Sequence, residues 1–208
     1  MKRIVLLPLL LLAACSGGDK DPEAPAATDG ASPAASEDAA AATSDSADAA
    51  GAAGRTSRYT SLKDCKVVDD GGGEDWSVSR CEGLGGFTVV INYGDARDDL
   101  ELQYPQRQPV ALGLPYLAGG GFNTLGDTVE WRGSGAGTAF APTALIVRNS
   151  TVQNPERPDR PTALLAVIDL KQECVVAQVR PGPGQNEQAR AIADGPVRKC
   201  LPLEGVVP

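Results

Sequence analysis

The segment that decides the fold reads CKVVDDGGGEDWSVSRC and runs from Cys65 to Cys81. Two strand-like runs, Lys66–Asp69 and residues 76–81, flank a turn rich in glycine and aspartate that is centred on Gly73. Each cysteine lies eight residues from Gly73, so a hairpin that turns there places the two thiols opposite each other. The spacing therefore predicts a β-hairpin closed by a Cys65–Cys81 disulfide.

The rest of the chain beyond this hairpin shows mostly the period-two hydrophobicity of half-buried strands. Alternation is clearest in residues 87–93, and it recurs in residues 100–104. Further strand-like runs cover residues 128–132, 143–149, 162–170 and 174–180. One helix is predicted at residues 187–193, with Asn186 as its N-cap and Gly195-Pro196 as its stop signal. These patterns predict an α+β or mainly-β domain, an antiparallel sheet with one C-terminal helix.

Residues 1–14 are predicted to form an export signal. Lys2 and Arg3 precede a short apolar run, as in a secretory signal peptide, and the run is about half the ~20 residues that a membrane-spanning helix needs. The sequence Leu12-Ala13-Ala14-Cys15 resembles the lipobox of bacterial lipoprotein precursors. That resemblance implies that residues 1–14 are removed and that Cys15 is the lipid-attachment site, acylated and held in a membrane of the cell envelope.

Ser16 refines this expected location. In the sorting rule of enteric bacteria, aspartate after the lipidated cysteine retains a lipoprotein in the inner membrane, whereas serine does not. The resemblance thus favours the outer membrane, with the domain in the periplasm or at the cell surface.

Residues 15–56 are predicted to form a disordered tether, and residues 57–208 a single globular domain. The tether contains eight acidic residues and, after Cys15, no large apolar side chain, so it cannot bury enough surface to offset the entropy of ordering. The formal net charge of −8 belongs mostly to this segment. Neither part carries the excess of lysine and arginine that is typical of proteins that bind nucleic acid or an anionic membrane surface.

The cysteines of the domain predict two disulfides. With Cys15 lipidated, four remain in an oxidising compartment, and three pairings are possible. The hairpin register favours Cys65 with Cys81, which leaves Cys174 with Cys200 across the predicted helix. Pairings between the two halves would close longer loops and are not excluded on energetic grounds.

The composition argues against an enzyme. The chain has no histidine, which removes the commonest general base and the commonest metal ligand, and no catalytic residue or cofactor is assigned. The acids at Asp69, Asp70, Glu74 and Asp75, and those at residues 95–101, are interpreted as solvated turns with ordinary pKa values, with no metal site assigned. A calcium site in either cluster and a carboxylate-based hydrolase are the alternatives.

Residues 105–127 are rich in glycine and proline and are predicted to form a long loop. Tyr116 and Phe122 lie within it, and aromatic side chains in a loop on a rigid scaffold are a common means of binding a partner. The sequence therefore predicts a non-enzymatic binding module for a protein or cell-wall partner, with Tyr116 and Phe122 in its binding loop. A small-molecule or glycan carrier is the alternative.

Several short motifs, Cys81-Glu82-Gly83, Glu130-Trp131-Arg132 and Ala189 to Asp194 closing at Cys200, resemble a group of uncharacterised exported alphaproteobacterial proteins. The resemblance spans roughly residues 59–200. It supports the domain boundaries and the roles of the cysteines, and it implies no activity.

Overall fold

The computed structural model describes residues 54–117 and 119–203. The predicted signal peptide, Cys15 and nearly all of the predicted tether lie outside these residues. The strands are β1 Thr56–Ser61, β2 Lys66–Asp69, β3 Trp76–Glu82, β4 Thr88–Gly94, β5 Arg97–Gln103, β6 Pro109–Ala111, β7 Asn123–Ser134, β8 Ala141–Thr151, β9 Thr162–Asp169 and β10 Cys174–Val179. The α-helices are α1 Leu114–Leu117 and α2 Gln185–Asp194, and a 3₁₀ turn covers Gly137–Ala139.

The strands form one sheet, in the order β10-β9-β8-β7-β5-β4-β3-β2. The strand β1 pairs along the second half of β7, and β6 pairs with the end of β5. The pairings are antiparallel except for a single parallel contact between β5 and β7, at Arg97 and Asn123. The predicted fold class, a largely antiparallel sheet with one C-terminal helix and two disulfides, is confirmed.

The main core lies on one face of the sheet. Trp131, Leu100 and Leu145 are fully buried there, and such side chains each contribute roughly 1.5–3 kcal/mol by leaving water. On the other face, α2 covers a smaller cluster on β8, β9 and β10 through Ala189 and Ile192. Alternate residues of β9 thus enter different clusters, and the strand reads as a continuous apolar run because both of its faces are buried.

Both disulfides pair as predicted, Cys65–Cys81 from the hairpin register and Cys174–Cys200 by elimination. Lys66 lies opposite Arg80 in the ladder of β2 and β3, so the preceding and following cysteines face each other with their Cα atoms 4.4 Å apart. The second disulfide joins Cys174, at the start of β10, to Cys200 beyond α2, with a Cα separation of 5.7 Å. Each bond closes a short loop across one local element.

Three details differ from the sequence-based predictions. Residues 105–127 are not one long loop, since they contain β6, α1 and the first five residues of β7. The strand β1 was not predicted and begins at Thr56, because its pairing with β7 and not its own hydrophobicity specifies it. The N-cap of α2 is Gly184, not Asn186. The helix begins earlier because the Gln185 amide donates to two backbone carbonyls at the end of the sheet.

Candidate partner-binding cleft

The two loop aromatics lie on the surface at one end of the sheet. Tyr116 belongs to α1 and is 46% exposed, and Phe122, which directly precedes β7, is 48% exposed. The strands β3, β5 and β7 begin at this end, and β4 ends there. The predicted binding residues therefore stand beside several strand ends that can supply further groups.

A cleft of about 480 Å³ opens beside Tyr116, and we call it the aromatic cleft. Its lining comes from two segments, the β4–β5 hairpin with Asn92, Tyr93, Gly94, Arg97 and Asp99, and the α1 segment with Pro115, Tyr116 and Gly120.

The hairpin supplies the polar floor of the cleft. Asn92 pairs with Asp99 and Gly94 with Arg97 in the ladder, so strand alternation places these four residues on one face. Asp95 and Ala96 both adopt left-handed backbone conformations, with φ of 50° and 54°, as the central residues of a two-residue hairpin turn of type I′ do. Alanine in this conformation costs roughly 1–2 kcal/mol, so the turn is strained at the edge of the cleft.

Buried amides hold the wall of the cleft against the sheet. The Asn149 side chain donates to the Leu114 carbonyl at 3.2 Å and accepts from the Asn123 amide at 2.9 Å. The Leu114 N–H in turn donates to Asp99 Oδ1 at 3.0 Å. These bonds connect α1 to β5, β7 and β8, so the wall is fixed relative to the floor.

Arg97 is held from three sides. Its Nε donates to the Gly120 carbonyl at 3.1 Å, its guanidinium pairs with the Asp95 carboxylate, and it lies 5.5 Å from the centroid of the Phe122 ring. Acids adjoin Arg97 in the sequence, and one of them, Asp95, is its ion-pair partner. Phe122 thus orders Arg97 through a cation–π contact and does not line the cleft itself.

The prediction that the acids near residue 95 keep ordinary pKa values is wrong for Asp98 and Asp99. Both lie within β5 and not in a turn, and partial burial raises the pKa of each carboxyl above its usual value. Hydrogen bonds oppose this shift, since Asp98 accepts from the Leu125 N–H and Asp99 from the N–H groups of Leu100 and Leu114. Asp99 therefore reaches the cleft as a partly desolvated carboxylate.

Asp99→Asn is expected to stabilise the domain at neutral pH. Because the folded pKa of Asp99 is raised, wild-type stability falls as pH rises from the unfolded value of 3.8 through the folded pKa. The asparagine carbonyl still accepts the two N–H bonds and carries no charge to desolvate. Urea unfolding should show a stability gain for the variant above the folded pKa that disappears as pH falls below 3.8. A gain that is equal at pH 3 and pH 7 would contradict this.

Two more aromatic residues surround the same end of the sheet. Trp76 begins β3 opposite Gly94 and is 38% exposed. Tyr93 contributes to the lining of the cleft and is 39% exposed, but it pairs with Asp98 on the other face of the sheet from Trp76. The sequence predicts strands at both Trp76 and Tyr93 and indicates neither as a binding residue. No local signal distinguishes them from buried aromatics, because the register between β3, β4 and β5 decides their neighbours.

A larger cavity of about 640 Å³ lies between β7, β8 and α2, but the carboxylates that line it are already paired. Glu130 binds Arg190 at 2.8 Å, and Asp127 binds Lys63 at 2.9 Å. None of the residues singled out from the sequence as binding residues reaches this cavity. The acids of this cavity are therefore already neutralised by internal ion pairs.

The described part of the chain contains no cluster of three or more acidic, cysteine or histidine residues that could hold a metal ion. It also contains no helix that is long and apolar enough to cross a membrane. Comparison with known proteins gives no match to a protein-family model, a curated protein or a solved structure.

Proposed function

We propose that the chain is a lipid-anchored envelope lipoprotein whose disulfide-stapled domain is a non-enzymatic binding module for a protein or cell-wall partner. The aromatic cleft is its binding face. The observation that carries this proposal is the grouping of four exposed aromatic residues, Trp76, Tyr93, Tyr116 and Phe122, at one end of the sheet. The chain has only two tryptophans, four tyrosines and three phenylalanines, so this grouping uses nearly half of them.

Aromatic side chains contribute strongly to binding because they bury a large area and lose little conformational entropy. A cluster of exposed aromatics costs solubility, and on a monomeric domain such a surface usually marks an interaction site. The cleft combines this surface with Arg97, Asp99 and Asn92, which supply a donor, an acceptor and a group that does both. That mixture supports recognition of a partner with polar groups.

The anchoring half of the proposal rests on the lipobox and places the domain in the cell envelope, in the outer membrane by the identity of Ser16. Cys15→Ser is expected to abolish metabolic labelling with fatty acid. The protein should move from the membrane fraction to the soluble fraction or accumulate as uncleaved precursor. Unchanged labelling and fractionation would contradict lipid anchoring.

The binding half is tested by formaldehyde crosslinking in cells, together with co-sedimentation of the full-length lipidated protein with purified cell walls. Tyr116→Ala combined with Phe122→Ala is expected to lower the captured fraction about tenfold, the effect of losing roughly 1.4 kcal/mol of binding free energy. Tyr59→Ala is the control, because Tyr59 is a similarly exposed tyrosine at the larger cavity. Equal loss in both variants, or loss only in the control, would contradict the assignment.

A carboxylate-based envelope hydrolase is the second candidate, and the raised pKa of Asp99 favours it. A general acid in glycoside hydrolysis needs such a carboxyl, but it also needs a second carboxyl across the cleft. Asp98 lies on the opposite face of β5 from Asp99. Asp99 is therefore the one carboxylate among the described residues that line the cleft. Release of soluble fragments from purified cell walls by wild type but not by Asp99→Asn would establish the hydrolase instead.

A further inference from the structure

We infer that the ligand of the aromatic cleft is a neutral saccharide chain, which lies across the sheet face from Trp76 towards Tyr116. This inference rests on the proposed binding function and assigns the chemical class of the partner. The inference is supported by the geometry of three adjacent strands, by the type of polar groups on the floor and by the charge balance of the lining.

The register of β3, β4 and β5 sets the length of the binding face. Trp76 lies opposite Gly94, and Gly94 lies opposite Arg97, so these residues form one row across three strands. Neighbouring strands are about 4.8 Å apart, which places the ends of the row about 10 Å from each other. Tyr116 stands beyond Arg97 on the far wall. This span accommodates a short oligosaccharide better than a single small molecule.

Gly94 leaves a depression in the floor between Trp76 and Arg97. It has no side chain to fill the row, and its φ is not in the left-handed region, so backbone conformation does not require glycine there. A Cβ at this position would meet the Trp76 Cβ at 3.5 Å, an ordinary van der Waals contact. The absence of a side chain therefore leaves room for a ligand ring between the Trp76 Cβ and Arg97, while the Trp76 indole packs over Gly71 and donates to Glu74 at 3.2 Å.

The groups around the depression match a pyranose ring. A sugar ring presents an apolar C–H face, which packs on a flat aromatic surface, and a rim of hydroxyls, each both donor and acceptor. Asp99 accepts, Arg97 donates, and the Asn92 amide does both. Asp99 and Arg97 are already fixed by bonds to the Leu114 N–H and the Gly120 carbonyl, so binding requires little further ordering of either.

The charge balance of the cleft disfavours an anionic ligand. Its lining contains one base and one acid, and the base already pairs with Asp95. An anionic chain would therefore face an uncompensated Asp99. A protein hot spot usually fills a dry apolar pocket, whereas the polar floor here suits a hydroxyl-rich ligand that keeps part of its hydration.

Tryptophan fluorescence provides a direct test, because the chain has two tryptophans and only Trp76 is exposed, while Trp131 is fully buried. The full-length lipidated protein in detergent is titrated with chitotetraose, cellotetraose or xylotetraose, and with anionic tetragalacturonate. Protection of Trp76 from acrylamide quenching is recorded, with calorimetry as a second readout. At least one neutral tetrasaccharide is expected to protect Trp76, and to bind more tightly than tetragalacturonate.

Gly94→Val is the decisive variant, since it fills the floor and removes none of the proposed binding groups. It should weaken binding of the neutral chain by about tenfold or more, equivalent to roughly 1.4 kcal/mol. Gly182→Val is the matched control, because Gly182 also lacks left-handed φ and a side chain there would meet no neighbour. It should leave binding unchanged, as should Tyr59→Ala.

The outcomes separate this inference from the proposed function. No binding of any neutral tetrasaccharide, combined with a cellular crosslink that Tyr116→Ala and Phe122→Ala abolish, would overturn the saccharide assignment and leave the binding module intact. Saccharide binding that Gly94→Val does not weaken would overturn the site. Absence of both saccharide binding and a cleft-dependent crosslink would overturn the inference and the proposed function together.

Discussion

Reduction of both disulfides under native conditions is expected to lower the free energy of unfolding by about 6 kcal/mol. The two bonds connect cysteines 16 and 26 residues apart, and loops of this size are worth about 3 kcal/mol each in the chain-entropy model. Small domains have total stabilities of about 5–15 kcal/mol, so the reduced domain is expected to be marginal at 37 °C. Urea unfolding with and without a reductant measures the loss.

The two bonds should differ in what loosens when each is removed. Cys174–Cys200 holds the segment after α2 on the sheet, where the Leu201 N–H donates to the Val175 carbonyl at 2.8 Å. Replacing this pair by serine should increase hydrogen exchange in α2 and residues 196–203. The Cys65–Cys81 bond instead fixes β2, whose four residues are all exposed and which forms an edge of the sheet.

Separate double variants provide the control for this prediction. Cys65→Ser with Cys81→Ser should increase exchange in β2 and leave α2 protected, and Cys174→Ser with Cys200→Ser should do the reverse. Global loosening in both variants would show that the bonds do not act locally. Stability that is unchanged by reduction would show that the packed sheet and not the disulfides supports the domain.

The predictability of these disulfides has a physical reason. Hairpin register is local, because the symmetric spacing of Cys65 and Cys81 about Gly73 indicates which residues face each other without reference to any long-range contact. The same locality explains why strand β2 was predicted with its observed bounds and why α2 ends at Asp194, directly before the predicted stop signal at Gly195. Alternation and turn residues carry this information within about ten positions.

The binding face could be predicted only in part, because it is assembled from distant segments. Tyr116 and Phe122 were singled out by their glycine-rich surroundings, and both are exposed. Trp76, Tyr93 and Asp99 join the same end of the sheet only through the pairing of β3, β4 and β5. The exposure of Trp76 and the burial of Asp99 follow from that pairing. The sequence around each residue contains no signal of its exposure or burial.

The pairing of Arg132 with Asp194 is a second feature that sequence reasoning did not find. Arg132 lies on β7 two residues after Glu130, yet its closest carboxylate is the last residue of α2, 62 positions away. Two hydrogen bonds join the guanidinium and the carboxylate, at 3.2 Å and 2.5 Å, and the side chains are 3% and 5% exposed. An acid at a helix C-terminus opposes the helix dipole, so this pairing compensates an otherwise unfavourable position.

Asp194→Ala is therefore expected to lower the free energy of unfolding by about 3 kcal/mol, since it leaves a buried guanidinium with weaker partners. Glu130 lies 3.8 Å from Arg132 and already binds Arg190, so it replaces the lost carboxylate only partly. Urea unfolding is the appropriate measurement because urea does not screen charge.

Two controls distinguish burial of the charge from loss of an ion pair in general. Asp159→Ala removes a carboxylate that lies 3.8 Å from Arg160 with both side chains largely exposed, and it should change stability by less than about 1 kcal/mol. Arg132→Met combined with Asp194→Leu removes both buried charges and keeps apolar volume, so it should recover most of the loss. If the double variant is as unstable as Asp194→Ala, the ion pair itself and not the cost of an isolated buried charge holds α2 on the sheet.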